Sequence, residues 1–422
     1  MLNDNNTHGL WERTAISAPV APRLTNELTA DVAVIGGGIT GLSTALHLAA
    51  QGAKVVVLES NKVGFGGSGR NVGLVNPGMW VKPDDICSVL GLEAGERLID
   101  VLGAAPRLVF DLIERHGIEC EAVHKGTLHC AVGSSGLEEI RDREEQWRRR
   151  GAPVRLLDAQ ETARRTGCSS FSGALLDERA GTIQPLSYTR GLAIVATRLG
   201  AQLYTGSEVK SATRVGNQWK LSTDSGSVSA DWVVVATNAY SGSLWPALQS
   251  EFIPLSYFQC ATAPMPSELK RRVLGNGEGL ICTRTVITSL RTDAAGRLIF
   301  GSLGALRNVG TSVHSRYAKR MLEQMYPELR NVKFENEWFG RIAMTTSHLP
   351  RYHELAERVI SFHGYNGRGI GTGTMFGKIM AGRILNPSLQ PLPLDKTEPE
   401  LPSLRGVRAG YYEAGSVLAH MF

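Results

Sequence analysis

Long apolar runs are missing from this 422-residue chain. No stretch approaches the ~20 consecutive apolar residues that cross a bilayer. The N-terminus, MLNDNNTHGLWERT, has neither a basic start nor an apolar core. Together these predict a protein without an integral membrane segment. Cysteine is also scarce. The six cysteines (Cys87, Cys120, Cys130, Cys168, Cys260 and Cys282) include no CxxC pair. That argues against a disulfide framework or a zinc site, no metal ligands are expected, and reduced thiols point to the cytoplasm. Charge of one sign is thin as well: 45 Lys and Arg against 40 Asp and Glu give a net +5. The only dense run, Trp147–Arg150, reads as a solvated helical face. Nucleic acid and anionic membranes are therefore not expected partners.

What is present is ordinary globular composition, 42% hydrophobic and 20% charged, in a length suited to two domains. Glycine is in excess at 47 residues, against a usual ~7%. The excess is clustered at 36–38, 64–69 and 364–373, where backbone must approach a ligand or other backbone closely.

From Asp31 to Glu59 the chain reads strand, glycine turn, helix, strand. Gly36, Gly38 and Gly41 form G-x-G-x-x-G, and Glu59 closes the second strand eighteen residues after Gly41. The glycines suit a tight turn, approach to a pyrophosphate and close helix–strand packing, and Glu59 suits a ribose. This is a dinucleotide site. The fingerprint by itself leaves NAD and FAD open. A second glycine segment, GFGGSGRNVG at 64–73, and the Thr237–Asn238–Ala239 turn after a buried strand favour a flavin.

Elsewhere, 92–117 reads as helix interrupted near Pro106, 121–132 as a strand and 136–150 as a polar helix. From about 200 an antiparallel meander closes on a buried strand, Trp232–Ala236. Strands are expected at 252–264, 280–291, 297–302, 333–344 and 359–365, with helices near 313–325 and after residue 370. An extended Pro-rich arm is expected beyond Pro387.

These motifs, with WFGRIAMTTSHLP at 338–350 and GYNGRGIGTGTMFG at 364–377, resemble the D-amino-acid oxidase superfamily of FAD-dependent oxidoreductases. The pattern is most similar to its branch of γ-glutamylputrescine oxidoreductase-like amine and imino-acid oxidases. The resemblance implies an α/β chain, α+β overall, with a Rossmann-like FAD-binding domain (1–85, 155–248 and 338–422) and a mainly antiparallel-sheet substrate domain (86–154 and 249–337). It implies that Gly36, Gly38, Ile39, Thr40, Gly41, Glu59 and Ser60 hold the ADP half. Gly67, Ser68, Arg70 and Asn71 would lie along the pyrophosphate and toward the isoalloxazine. Val209 would meet the adenine, Thr237 and Asn238 would lie against the dinucleotide, and Gly367, Gly369, Ile370 and Gly371 would form the loop at the pyrimidine edge. Some relatives carry a flavin-tethering cysteine upstream of that loop. None occurs here after Cys282, so noncovalent FAD is expected.

The implied chemistry is hydride removal from the carbon beside an amine nitrogen of an amino acid, a cyclic imino acid of pipecolate or proline type, or a polyamine-derived amine. The electron acceptor would be oxygen or a quinone-type partner. Tyr257, Arg284, Arg291 and His348 are the candidates for substrate contact or catalysis. His363 has a structural or a functional reading, and Trp338 and Phe339 read as core. The alternatives are an NAD-dependent dehydrogenase and a flavin-binding protein without turnover.

Overall fold

The strand Glu27–Ile35 becomes wholly buried toward its C-terminal end, as expected of a central parallel strand whose faces are both covered. Gly36 then turns the chain at φ +112°, and Gly38 caps the helix Ile39–Ala49 without a side-chain hydrogen bond. The computed structural model describes residues 8–386, 388 and 391–421.

The first sheet runs in the order Arg351–Ala356, Val359–His363, Ser227–Val235, Glu27–Ile35, Val55–Leu58, Gln202–Tyr204. Every neighbouring pair after the first is parallel. The meander Ser211–Val215 and Gln218–Ser222 attaches antiparallel to Ser227–Val235, as expected. Helix Ile39–Ala49 is packed between this sheet and the helix Gly369–Leu385. The helices approach so closely that a Cβ on Gly377 would lie 2.6 Å from Ser43 Cβ. Ser43 Oγ also donates to Thr374 O at 2.7 Å. The glycines beyond the 364–370 loop are therefore there for helix packing.

The second sheet has the order Phe334–Met344, Ile253–Pro264, Arg297–Leu303, Thr288–Thr292, Gly279–Cys282, Thr127–Ala131, Gly173–Asp177, Val154–Leu157. It is antiparallel except where Gly279–Cys282 pairs parallel with Thr127–Ala131. The Rossmann-like sheet and the mainly antiparallel sheet are both present. Strand pairing moves the expected boundaries, however. Strands Val154–Leu157 and Gly173–Asp177 pair next to Thr127–Ala131, within the second sheet, whereas the expected FAD domain includes 155–248. Strand Phe334–Met344 lies along Ile253–Pro264 as far as Met344. Backbone pairing partners, which local periodicity does not encode, place these segments.

Two terminal features depart from expectation. Helix Leu10–Thr14 buries Leu10 and Trp11, and Trp11 Nε1 donates to Asn71 O at 2.9 Å. The N-terminal segment thus buttresses the second glycine segment. The tail is only partly an extended arm, because Arg405–Met421 is helical. Pro387 itself lies outside the described residues. No helix among the described residues is long and apolar enough to cross a membrane.

Candidate active site

The C-terminal ends of the parallel strands face the second sheet across a cavity of about 760 Å³, large for ligand sites, which span roughly 300–1,000 Å³. Such a crevice beyond the carboxyl ends of parallel strands is where doubly wound sheets bind ligands. Gly36, Gly38, Ile39, Thr40, Glu59, Ser60, Gly67, Ser68, Asn71, Val209, Thr237, Asn238, Gly367, Gly369 and Ile370 all line it. Segments far apart in sequence are thus brought to one wall.

At one end, a Cβ on Gly36 would lie 2.9 Å from Ala236 O, and one on Gly38 would lie 2.8 Å from Ser68 Oγ. Any side chain at either position would close the approach to the helix N-terminus. There Ser68 Oγ accepts from Ile39 N at 3.0 Å. Glu59 is buried. Its Oε2 accepts from Gly37 N at 2.7 Å and its Oε1 from Asn61 N at 2.8 Å. Burial pushes the Glu59 carboxyl up, and the backbone donors oppose that shift.

At the other end, Asn238 Oδ1 accepts from Gly364 N at 3.0 Å, tying the Thr237–Asn238–Ala239 turn to the third glycine segment. Asn366 Oδ1 accepts from Thr345 N at 2.9 Å, and Gly367 turns the chain at φ +86°. Helix Gly369–Leu385 therefore begins at the cavity wall, with its first backbone N–H groups free of any side-chain cap. Such an N-terminus stabilises negative charge.

The four candidate substrate residues separate. Tyr257 and His348 line the cavity. Tyr257 Oη is buried without a partner. Burial and the neighbouring Tyr240 hold its hydroxyl well above the usual phenol range, with Arg70 opposing them. Tyr257 is therefore neutral and free to donate. His348 is exposed and held at φ +57°. Arg291 and Arg284, by contrast, lie away from the cavity. Arg291 is buried beside Trp11, its guanidinium 5.5 Å from the indole, and donates to Ile183 O and, at 3.2 Å, to Thr292 O. Arg284 is exposed at a small recess with Ser170 and Met321.

Three expected cofactor residues also stand back from the wall. A Cβ on Gly41 would lie 2.0 Å from Gly36 O, and one on Gly371 would lie 3.2 Å from Ala105 Cβ. Both are packing glycines. Arg70 is buried, its guanidinium 4.6 Å from the Phe65 ring, and its Nε and Nη2 have no partner. Its carbonyl accepts from Trp338 Nε1 at 2.8 Å, so the buried Trp338 supports the second glycine segment.

Residue-by-residue reading missed Arg368, Trp80 and Gln259, all on the cavity wall. Arg368 lies over Trp80 at 4.2 Å. Its Nε is buried and unpartnered, and its Nη1 reaches only Pro77 O at 3.3 Å. Burial pushes the guanidinium down to about 9. Gln259 Oε1 is likewise buried without a partner. A sequence signal for Arg368 existed in GYNGRG, where an arginine stands inside a glycine loop that closes on a ligand.

The glycine-lined end, with its buried acid and a helix N-terminus on the cavity wall, fits a dinucleotide. The orphaned polar groups at the other end mark a place for a polar ligand. A family model described as FAD dependent oxidoreductase matches residues 31–383. The chain belongs to this family of FAD-dependent oxidoreductases, which overturns the NAD alternative. It is 32% identical over 382 residues to a probable oxidoreductase, OrdL, of Rhizobium meliloti, covering 90% of this chain and 89% of that one. It is 30% identical over 362 residues to the gamma-glutamylputrescine oxidoreductase of Escherichia coli, covering 85% and 84%. Among solved structures, glycine oxidase from Geobacillus kaustophilus superposes with a TM-score of 0.72 at 19% identity, covering 89% of this chain and 99% of that one. L-proline dehydrogenase from P. horikoshii does so with 0.70 at 21% identity, covering 92% and 97%. These two likenesses concern the fold.

Proposed function

We propose that the protein oxidises the carbon–nitrogen bond of an amine that carries a carboxylate: an amino acid, a cyclic imino acid, or a γ-glutamyl-type polyamine derivative. One observation carries the reading: Arg368, a half-buried arginine whose buried Nε is unpartnered, shares a cavity with the glycine-lined cradle. A buried donor left unpaired is costly, and an arriving carboxylate relieves that cost through charge-assisted hydrogen bonds. The similarity to gamma-glutamylputrescine oxidoreductase supports an amine as the electron donor.

Bound FAD supplies the two-electron acceptor. In this reading the Gly36–Gly38 turn and the N-terminus of helix Ile39–Ala49 hold the pyrophosphate, and Glu59 accepts from the adenosine ribose. The N-terminus of helix Gly369–Leu385 favours the negative charge that gathers on reduction. Arg368 orients the substrate carboxylate, Trp80 covers one side of it, and Tyr257 offers a neutral hydroxyl. A hydride leaves the carbon beside nitrogen and the nitrogen loses a proton. The resulting imine is hydrolysed by water. The Arg368 charge also disfavours an ammonium nearby, which keeps the reacting amine neutral. No cysteine lines the cavity, which supports noncovalent FAD. Acid precipitation that leaves a yellow supernatant is the expected result.

The test is anaerobic mixing with amino acids, N-alkyl amino acids, cyclic imino acids and polyamine derivatives, following loss of oxidised-flavin absorption. Carboxylate-bearing amines should bleach the flavin, and readmitted air then distinguishes oxygen from a quinone-type acceptor. Bleaching only by amines without a carboxylate would sink the reading. A yellow protein that no amine reduces would favour a flavoprotein without turnover.

A further inference from the structure

Away from the cavity wall, two histidines and a glutamate meet in the interior. Glu251 ends the helix Pro246–Glu251, His353 lies in the strand Arg351–Ala356 and His363 ends the strand Val359–His363. The two strands pair antiparallel with His353 opposite Ser361 and Arg351 opposite His363. His353 and His363 are thus diagonal neighbours on one face. All three side chains are 1–2% exposed. Glu251 Oε2 lies 2.7 Å from His353 Nε2 and 2.8 Å from His363 Nε2.

One member of this cluster, His363, is left without a hydrogen-bond partner. His353 Nδ1 lies 2.6 Å from Thr397 O. A carbonyl only accepts, so Nδ1 carries a hydrogen, and Nε2 is the ring nitrogen that faces Glu251 Oε2. His363 has no aligned hydrogen bond at either ring nitrogen, although its Nε2 is near Glu251. The other carboxylate oxygen is occupied: Glu251 Oε1 accepts from Glu400 N at 3.3 Å and lies 3.4 Å from Arg351 Nη1. The Nε2 atoms of two imidazoles and one carboxylate oxygen therefore converge, with His353 held from behind by Thr397 O and Glu251 by Glu400 N and Arg351. Metal-binding histidines almost always donate their second nitrogen to a carbonyl or carboxylate in this way.

We infer that Glu251, His353 and His363 form a binding site for a divalent cation of the zinc type. The three candidate ligand atoms all lie within 4.8 Å of one another. Zinc–nitrogen and zinc–oxygen bonds of about 2.0–2.2 Å require the closest of these separations to open by only several tenths of an ångström. One coordination position is left for water. The ion clamps three segments that are remote in sequence: the helix leading into strand Ile253–Pro264, the edge strands of the first sheet, and the tail that supplies Thr397 and Glu400. His363 directly precedes the 364–370 loop, so the clamp also anchors one end of the cavity wall. The role is structural and is independent of which amine the enzyme oxidises.

The experiment uses the full-length FAD-loaded protein. After dialysis against zinc and removal of free ion, elemental analysis should find about one zinc per chain. Added zinc should raise the thermal midpoint of chelator-treated protein, and cobalt should give a ligand-field absorption to the red of the flavin bands. Replacing His363 by Gln should lower metal retention at least tenfold, as should Glu251→Gln. A free-cysteine variant such as Cys87→Ser should retain the metal. The inference is overturned if neither ion binds near-stoichiometrically to the wild-type chain. It is equally overturned if the folded His363→Gln protein keeps its zinc.

Discussion

Replacing Arg368 with methionine tests the substrate assignment most sharply, because methionine keeps much of the volume and removes the charge. The guanidinium lies over Trp80 at 4.2 Å, and its contact with Pro77 O is long at 3.3 Å. Little of the protein depends on it. A hydrogen bond to a charged group contributes about 1.5–3 kcal/mol, and about 1.4 kcal/mol is a factor of ten. For a carboxylate-bearing amine, kcat/KM should therefore fall roughly 10- to 150-fold. Amines without a carboxylate should change by less than about threefold, since they never used the bond. Arg368→Lys should fall between, keeping the charge but losing the planar fork. The assay is anaerobic flavin reduction with matched substrate pairs, alongside a thermal melt. The melting temperature should hold or rise, because a buried, unpaired N–H donor has been removed. Equal losses for both substrate classes, or a large fall in melting temperature with unchanged kinetics, would refute the assignment.

Glu59→Gln should weaken FAD binding by about 10- to 100-fold while leaving the fold intact, since the carboxylate organises Gly37 and Asn61 through charge-assisted bonds. Equilibrium dialysis of the cofactor measures it. Arg291→Met should cost about 1–3 kcal/mol of stability by stranding Ile183 O and leave KM unchanged. A substrate-specific rise in KM would restore Arg291 as a substrate contact. Lowering pH should release the N-terminal segment. A hydrogen bond with His8, set against burial and joined by Arg190, holds the Glu12 carboxyl down to about 2. A depressed carboxyl stabilises the fold above its ordinary value of 4.5 and loses that contribution as pH falls toward about 2. Trp11 fluorescence should shift to the red across that window, and Glu12→Gln should abolish the pH dependence of that shift. An unchanged profile in the variant would rule Glu12 out as its cause.

Short-range features were legible in the sequence alone. The unit from Asp31 to Glu59 could be read because its turn, helix start and acid are local and each has a single physical use. The meander ending in strand Ser227–Val235 was legible from its alternation. The sequence also marked the 64–73 and 364–373 segments as ligand-facing, because glycine clusters are expensive unless backbone must come close. Only the tertiary structure separated Gly38, on the cavity wall, from Gly41 and Gly371, which face Gly36 O and Ala105. Likewise it placed Arg291 against Trp11 and Arg368 on the cavity wall, since nothing local to an arginine states what lies across from it. The lobe boundaries, the support of Asn71 by Trp11 and the meeting of Glu251, His353 and His363 share that origin. Each joins residues tens to hundreds of positions apart, and such pairings are chosen by sheet register and burial, which no window along the chain contains.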